Sequence, residues 1–275
     1  MKDVTKCGSL SIEWGKRTYI MGILNVTPDS FSGDGIGNDV GLAVEQALKL
    51  QNDGADIIDV GGESTRPGSI PVDLEEERRR VIPVVRSLVS KLSIPISVDT
   101  YKPKLAQEAI DAGAAMINDI WGLKHDISMA EIISHGNVPV ILMHNQYGVE
   151  YSDLMSDVID SLSKSIECAI YSGIREENII LDPGMGFGKT PSQNLQLIRR
   201  LGEIKAMGFP VLIGTSRKST LGLVLDLPVD DRLEGTAATV AISIANGVDI
   251  VRVHDVREMK RVSLMSDAIV RDTIA

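Results

Sequence analysis

Ile94-Pro95-Ile96-Ser97-Val98-Asp99-Thr100 is a short apolar run that stops abruptly at polar residues, and the stretch behind it, Pro103–Ala112, carries helical spacing. The same unit recurs along the whole chain. The other runs are Tyr19–Leu24, Ile57–Val60, Ala115–Ile117, Val138–Met143, Ile179–Leu181, Val211–Ile213 and Ile250–Val251. They end at Asn25, Gly61–Arg66, Asn118-Asp119, His144-Asn145, Asp182-Pro183, Gly214–Lys218 and Arg252–Asp255. Near-continuous apolar runs alternating with helices describe strands buried on both faces of a parallel sheet. Eight such units predict an α/β fold closed as a (β/α)8 TIM barrel, with the polar strand ends converging on one rim.

Between the runs, helical patterns fill Gly41–Asn52, Leu74–Leu92, Ile127–Ser134, Leu154–Ser172, Ser192–Met207, Arg232–Asn246 and Val256–Thr273. Gly54, Gly113, Gly136, Gly173, Gly208 and Gly247 stand where helices should end, since a residue with positive φ there is cheapest as glycine. No Pro/Ser-rich linker or low-complexity tract interrupts the rhythm, so residues 1–275 read as one barrel domain. An extension over residues 1–17 precedes it. Leu10–Ile20 reads as two short segments around Trp14-Gly15-Lys16, a hairpin pattern suited to plugging the end of the barrel opposite the polar rim.

Acidic residues outnumber basic ones, 38 to 28, which argues against a broad nucleic-acid footprint. Cys7 and Cys168 lie too far apart in sequence for a zinc spacing or a disulfide framework, as suits a reducing compartment. The amino terminus has no long apolar core, and no run approaches membrane-spanning length. A soluble, cytoplasmic protein is expected, with no membrane partner.

Asp182-Pro183-Gly184-Met185-Gly186-Phe187-Gly188-Lys189-Thr190 invites a nucleotide-binding reading. A P-loop requires glycine where Pro183 stands, and the dinucleotide fingerprint requires it where Lys189 stands. Neither fits. These glycines are expected to let backbone approach a flat ligand closely.

Two groups of strand-end residues suggest a ligand. Arg252 and His254 alternate along one strand and so face the same way, and Lys218 follows the strand before it. The loops after the last two strands of this fold are its usual phosphate cradle. Asp99, Asn118 and Asp182 end the third, fourth and sixth strands, where carboxylates and an amide can pair with the edge of a heterocycle. An isolated Asp after a strand is often only a helix N-cap, a reading open for Asp99 before Pro103 and weaker for Asp182 before Pro183-Gly184.

Asn25–Ser32, Glu63–Gly68, Asp182–Lys189, Ser216–Ser219 and Arg252–Asp255 together resemble the signature motifs of the dihydropteroate synthase family, in order from first strand to last. The resemblance implies a (β/α)8 barrel that joins a dihydropterin hydroxymethyl diphosphate to p-aminobenzoate and releases diphosphate. It implies that Asp99, Asn118 and Asp182 hold the pterin edge, with Lys218 at the pterin carbonyl and Met143 and Phe187 walling the ring. Asn25, as ligand of Mg²⁺, would share the diphosphate end with Arg66, Arg252 and His254. Thr65, Pro67 and Ser219 would lie near p-aminobenzoate, and Lys218, Asp34 and Arg66 would carry catalytic roles. A homodimer is also implied. One departure concerns the first loop, where the family's Phe-Ser-Asp-Gly-Gly is Phe31-Ser32-Gly33-Asp34-Gly35 here, displacing the acid by one position.

Two rivals share part of this pattern. A pterin-binding methyltransferase domain would not need the Thr65-Arg66-Pro67 set, the Ser216–Ser219 set or a diphosphate site. An inactive ligand-binding barrel would bind without turnover. Residues 27–37 and 63–71 are Gly- and Ser-rich loops that fit lids over the rim, which suggests that p-aminobenzoate binds after the pterin diphosphate.

Overall fold

The computed structural model describes residues 4–27, 39–63 and 71–272. Its first element is an antiparallel hairpin of β1 (Val4–Cys7) and β2 (Leu10–Glu13). The reversal comes at Gly8-Ser9, not at Trp14-Gly15-Lys16 as the sequence pattern suggested. Gly8 takes the left-handed φ of 58° that a tight return needs. Trp14 instead packs edge-on against Tyr19, with ring centroids 5.9 Å apart, and its Nε1 donates to Thr5 Oγ1 at 2.8 Å.

Eight parallel strands follow: β3 (Tyr19–Asn25), β4 (Ile57–Gly61), β5 (Ile96–Asp99), β6 (Met116–Asp119), β7 (Val140–Met143), β8 (Ile179–Asp182), β9 (Leu212–Ile213) and β10 (Ile250–Val253). Their spatial order is β8-β7-β6-β5-β4-β3-β10-β9. A parallel bridge between Leu181 and Val211 closes the barrel, with Leu181 N donating to Pro210 O at 2.9 Å.

The helices are α1 (Val40–Asn52), α2 (Leu74–Val89), α3 (Pro103–Asp111), α4 (Ser128–Gly136), α5 (Leu154–Tyr171), α6 (Pro191–Arg199), α7 (Leu201–Lys205), α8 (Ser219–Leu225), α9 (Leu233–Ala245) and α10 (Val256–Val270). Side chains of Asp39, Asp73 and Asp153 accept from the backbone N–H three residues on, and Thr190 with Gln193 forms a capping box. The stretch read as one helix over 192–207 is split at Arg200 into α6 and α7. Positive φ marks the helix exits at five of the six expected glycines. At the sixth, Gly136 stays inside α4 and Asn137 turns the chain at φ 50°.

Alternation along each strand sorts the apolar residues into two layers. One set packs between strands and helices. The other fills the barrel: Tyr19, Met21, Ile57, Met116, Ile141, Ile180, Leu212 and Ile250 pack with Cys7, Ile12 and Trp14 of the hairpin, which plugs that end. Two residues further along the strands, or four on β3, the same inward face carries Asn25, Asp59, Asp99, Asn118, Met143, Asp182 and Arg252. Among the described residues, no helix is long and apolar enough to cross a membrane.

Candidate active site

The polar layer above the barrel core is built around one guanidinium. Arg252 Nε donates to Asp59 Oδ2 at 2.6 Å, and its Nη2 donates to Asp99 Oδ2 at 2.9 Å. Asn118 Nδ2 donates to the same Asp59 oxygen at 3.1 Å. Three acceptor oxygens, Asp59 Oδ1, Asp99 Oδ1 and Asn118 Oδ1, are buried with no hydrogen-bond partner. Buried polar groups are nearly always paired, so three neighbouring acceptors without a described partner are what a donor-bearing ligand would satisfy. Burial pushes the Asp99 carboxyl up to about 7; Arg252 opposes this and the second carboxylate, Asp59, adds to it. Burial also works against charge on Arg252, but Asp59 and Asp99 more than offset it and hold the guanidinium protonated.

Asp182 sits on the same face. It caps no helix: its Oδ1 accepts from Gly184 N at 2.7 Å, and burial pushes its carboxyl up to about 6 despite that bond. Lys218 Nζ lies 4.4 Å from the centre of the Phe187 ring, a cation–π contact. The glycines of this loop permit close backbone packing. A Cβ on Gly184 would overlap the His144 carbonyl, and one on Gly186 would press on the Lys218 stem. Lys189 is no phosphate ligand here. It is buried, and burial pulls its ammonium down to about 7.

The turn after β9 divides its residues by direction. Arg217 takes a left-handed φ of 57°, a conformation that costs a non-glycine residue roughly 1 kcal/mol or more. Its guanidinium pairs with Asp255 at 2.6 Å, and Arg232 holds its carbonyl at 3.0 Å. Ser216 Oγ is thereby free to meet His254 Nδ1 at 2.9 Å, while Lys218 turns toward Phe187 and Ser219 opens α8.

The structure thus joins Asp99, Asn118 and Arg252 in one network through Asp59, with Met143 beside Asp182 in the strand register. Arg252 donates to the two carboxylates through Nε and Nη2, and His254 meets Ser216 through Nδ1. Asp34, Thr65, Arg66 and Pro67 lie outside the described residues. The base of the second loop is described: Glu63 accepts from Tyr101 Oη at 3.0 Å and pairs with Lys102, which also pairs with buried Glu77. Asn25 ends β3 in register with Gly61. No group of three or more His, Cys, Asp or Glu residues placed to hold a metal occurs among the described residues. A single amide oxygen at the rim fits an Mg²⁺ that arrives with phosphate oxygens and waters, the usual manner for this ion.

Asp59 is the functional candidate that sequence reading missed. It is fully buried and accepts from both Arg252 and Asn118. Its signal was present: it is the sole charged residue inside the eight apolar runs.

The chain matches the pterin binding enzyme family over residues 21–254. It is 53% identical over 267 residues to the dihydropteroate synthase of Clostridium beijerinckii, covering 97% of this chain and 99% of that one. Its fold superposes with a TM-score of 0.91 on the Clostridium difficile dihydropteroate synthase crystallised in the presence of pteroic acid, at 53% identity over 94% of this chain and 98% of that one. The Xanthomonas albilineans enzyme with 4-aminobenzoic acid gives a TM-score of 0.92 at 37% identity over the full length of both. With its barrel, its strand-end carboxylates and these relatives in agreement, the chain belongs to the dihydropteroate synthase family of transferases.

Proposed function

We propose that the site condenses 7,8-dihydropterin-6-ylmethyl diphosphate with p-aminobenzoate, giving 7,8-dihydropteroate and diphosphate. The observation that carries this reading is the set of unpartnered buried oxygens on Asp59, Asp99 and Asn118 beside Asp182. A pterin edge presents amine and ring N–H donors, which such acceptors would satisfy. Phe187 and Met143 would wall the ring, and Lys218 would meet its carbonyl side. Solved relatives crystallised in the presence of pteroic acid or with 4-aminobenzoic acid support a pterin and p-aminobenzoate as the ligands.

The electron-rich dihydropterin can release charge into its exocyclic carbon, so the C–O bond breaks with its electron pair leaving on diphosphate. His254, Arg66 and Arg252 would balance the charge gathering on that leaving group. Mg²⁺ held through Asn25 would supply further neutralisation of the phosphate oxygens. The aryl amine then forms the C–N bond with its lone pair and gives up one proton to water or diphosphate. No strong base is needed for this attack. Incubating the protein with both substrates and Mg²⁺ tests the reading: dihydropteroate and diphosphate should appear in equal amounts. Binding of both without turnover would establish an inert barrel instead.

Ordered binding follows from the same reading. p-Aminobenzoate is small and offers little area, and Thr65, Pro67 and Ser219 would complete its pocket only with diphosphate in place. Calorimetric titration of p-aminobenzoate into ligand-free protein should give little heat. Affinity there equal to that with pterin, diphosphate and Mg²⁺ present would refute the order.

We also propose a cytoplasmic homodimer. Exposed Leu223, Val224, Ile242, Leu264, Met265 and Ile269 on α8, α9 and α10 support this assembly. Sedimentation should give twice the chain mass of 29.7 kDa, and a monomer at micromolar concentration would overturn it.

A further inference from the structure

We infer that Lys189 is a positioning residue for the condensation: its ammonium fixes the Gly184–Phe187 loop in the shape that presents Asp182 and the Phe187 ring to the heterocycle. The inference rests on the proposed function. Lys189 Nζ reaches three acceptors, His144 Nδ1 at 2.9 Å, Gly184 O at 2.9 Å and Phe187 O at 3.0 Å. In its charged form, which Asp182 favours against burial, the amine has three N–H donors, one for each acceptor. Nδ1 of His144 can accept only when unprotonated. Burial, with the Lys189 charge adding to it, holds the imidazole neutral by lowering its pKa to about 3.

Each acceptor leads to a ligand-facing group. Gly184, whose carbonyl Lys189 holds, donates its own N–H to Asp182 Oδ1 at 2.7 Å. That carbonyl also accepts from Phe187 N at 3.1 Å, which curls the loop back on itself. Phe187 is held by its backbone on Lys189, while its ring faces Lys218. His144 N donates to Asp182 O at 2.8 Å, so the third bond ties in the neighbouring strand end. One buried cation therefore spans both sides of Asp182. An apolar side chain would fill the same space without the cost of burying charge, but it would leave the Phe187 carbonyl and a ring nitrogen without this donor and the Gly184 carbonyl with only Phe187 N. Outer parts of the loop have anchors of their own: Tyr151 Oη donates to Gly188 O at 2.8 Å, and Gly186 N to Asn194 Oδ1 at 2.8 Å. Loss of Lys189 should thus loosen the pterin-facing segment without releasing the whole loop.

Steady-state kinetics of Lys189→Met is the test, with Val85→Ala in α2 as a destabilised control remote from the site. KM for the pterin diphosphate should rise about tenfold to a hundredfold, the factor expected for losing hydrogen bonds to a charged donor. KM for p-aminobenzoate at saturating pterin should stay within about twofold. A folded Lys189→Met protein with the parent pterin KM would overturn the inference. So would equal increases in both KM values, matching those of Val85→Ala. If Lys189→Met does not fold, His144→Phe removes the imidazole acceptor and leaves both carbonyl bonds. It should still raise the pterin KM, and an unchanged value would overturn the inference. Calorimetric pterin binding by the same variants needs no turnover, so an inactive parent protein would sink the proposed reaction while leaving this inference separately decided.

Discussion

Two carboxylates, Asp59 and Asp99, share the guanidinium of Arg252, and burial, only partly offset by that cation, sets how the site's acids titrate. Asp99 is raised to about 7 and Asp182 to about 6, whereas an unfolded Asp titrates near ~3.9. Between those values the folded chain holds more protons than the unfolded chain, so raising the pH removes stability across roughly pH 4–7. Melting of the ligand-free protein should fall over that window, and Asp99→Asn should flatten the fall. A curve unchanged by Asp99→Asn would contradict the assignment. Removing Arg252 is a different matter from removing His254. Arg252→Ala leaves two buried acids without their cation, a change that costs about 3–5 kcal/mol in other buried pairs, and should weaken both pterin and diphosphate binding. His254→Ala should weaken diphosphate alone; calorimetry with each ligand separates the cases, and equal effects of the two variants would be a failure. In Asp182→Asn, the amide oxygen stays on Gly184 N and an NH₂ is turned toward the ligand's donors. Pterin affinity should drop by about 1.5–3 kcal/mol, and unchanged calorimetric affinity would remove Asp182 from the site. At this scale the strand-end acids were legible because each stood just past an apolar run. Asp59 was not, because a charge inside a run reads as noise until its partners from two other strands are seen.

Elements were legible where local chemistry decides them. Each apolar run became a strand, commonly lengthened at its carboxyl end by the polar residue that had seemed to stop it, as with Asp99, Asp182 and Asn25. For Asp99 the cause is a polar partner inside the barrel, the guanidinium of Arg252. The hairpin was misplaced because Gly8 and Gly15 both adopt positive φ, at 58° and 80°, and the sequence does not say which turns within the hairpin and which leads out of it. The β8–α6 loop shows how much one such position can matter. Gly184 combines a φ of 72° with a backbone oxygen where a Cβ would sit. Gly184→Ala must therefore move either the loop or the end of β7. A loss of about 2 kcal/mol or more is expected in urea unfolding, with pterin binding lost as well. A variant as stable as the parent would show the close approach to be dispensable.

Over the whole molecule, the two ends of the barrel are assigned opposite tasks: one rim gathers charge, and the other is sealed by the hairpin. We propose residues 1–275 as one cooperative unit, so unfolding should follow a single transition with the fluorescence of Trp14 and Trp121 and circular dichroism coincident. Trp14→Ala would open the seal over Tyr19 and Met21 and should cost about 3–5 kcal/mol. Separate transitions by the two probes would break the chain into independent parts. The sealing end also bears on how the protein is made. Thr5 donates its hydroxyl to the carbonyl of Glu177, 172 positions later, and Cys7, Ile12 and Trp14 pack on strands drawn from the full length of the chain. These residues are translated well before Glu177, so their seat does not exist until most of the barrel has been made. At ~5–20 residues per second, the delay before Glu177 appears is on the order of ten seconds or more. Through that interval the nascent hairpin carries an uncovered tryptophan and isoleucine, which makes it a natural client for a chaperone.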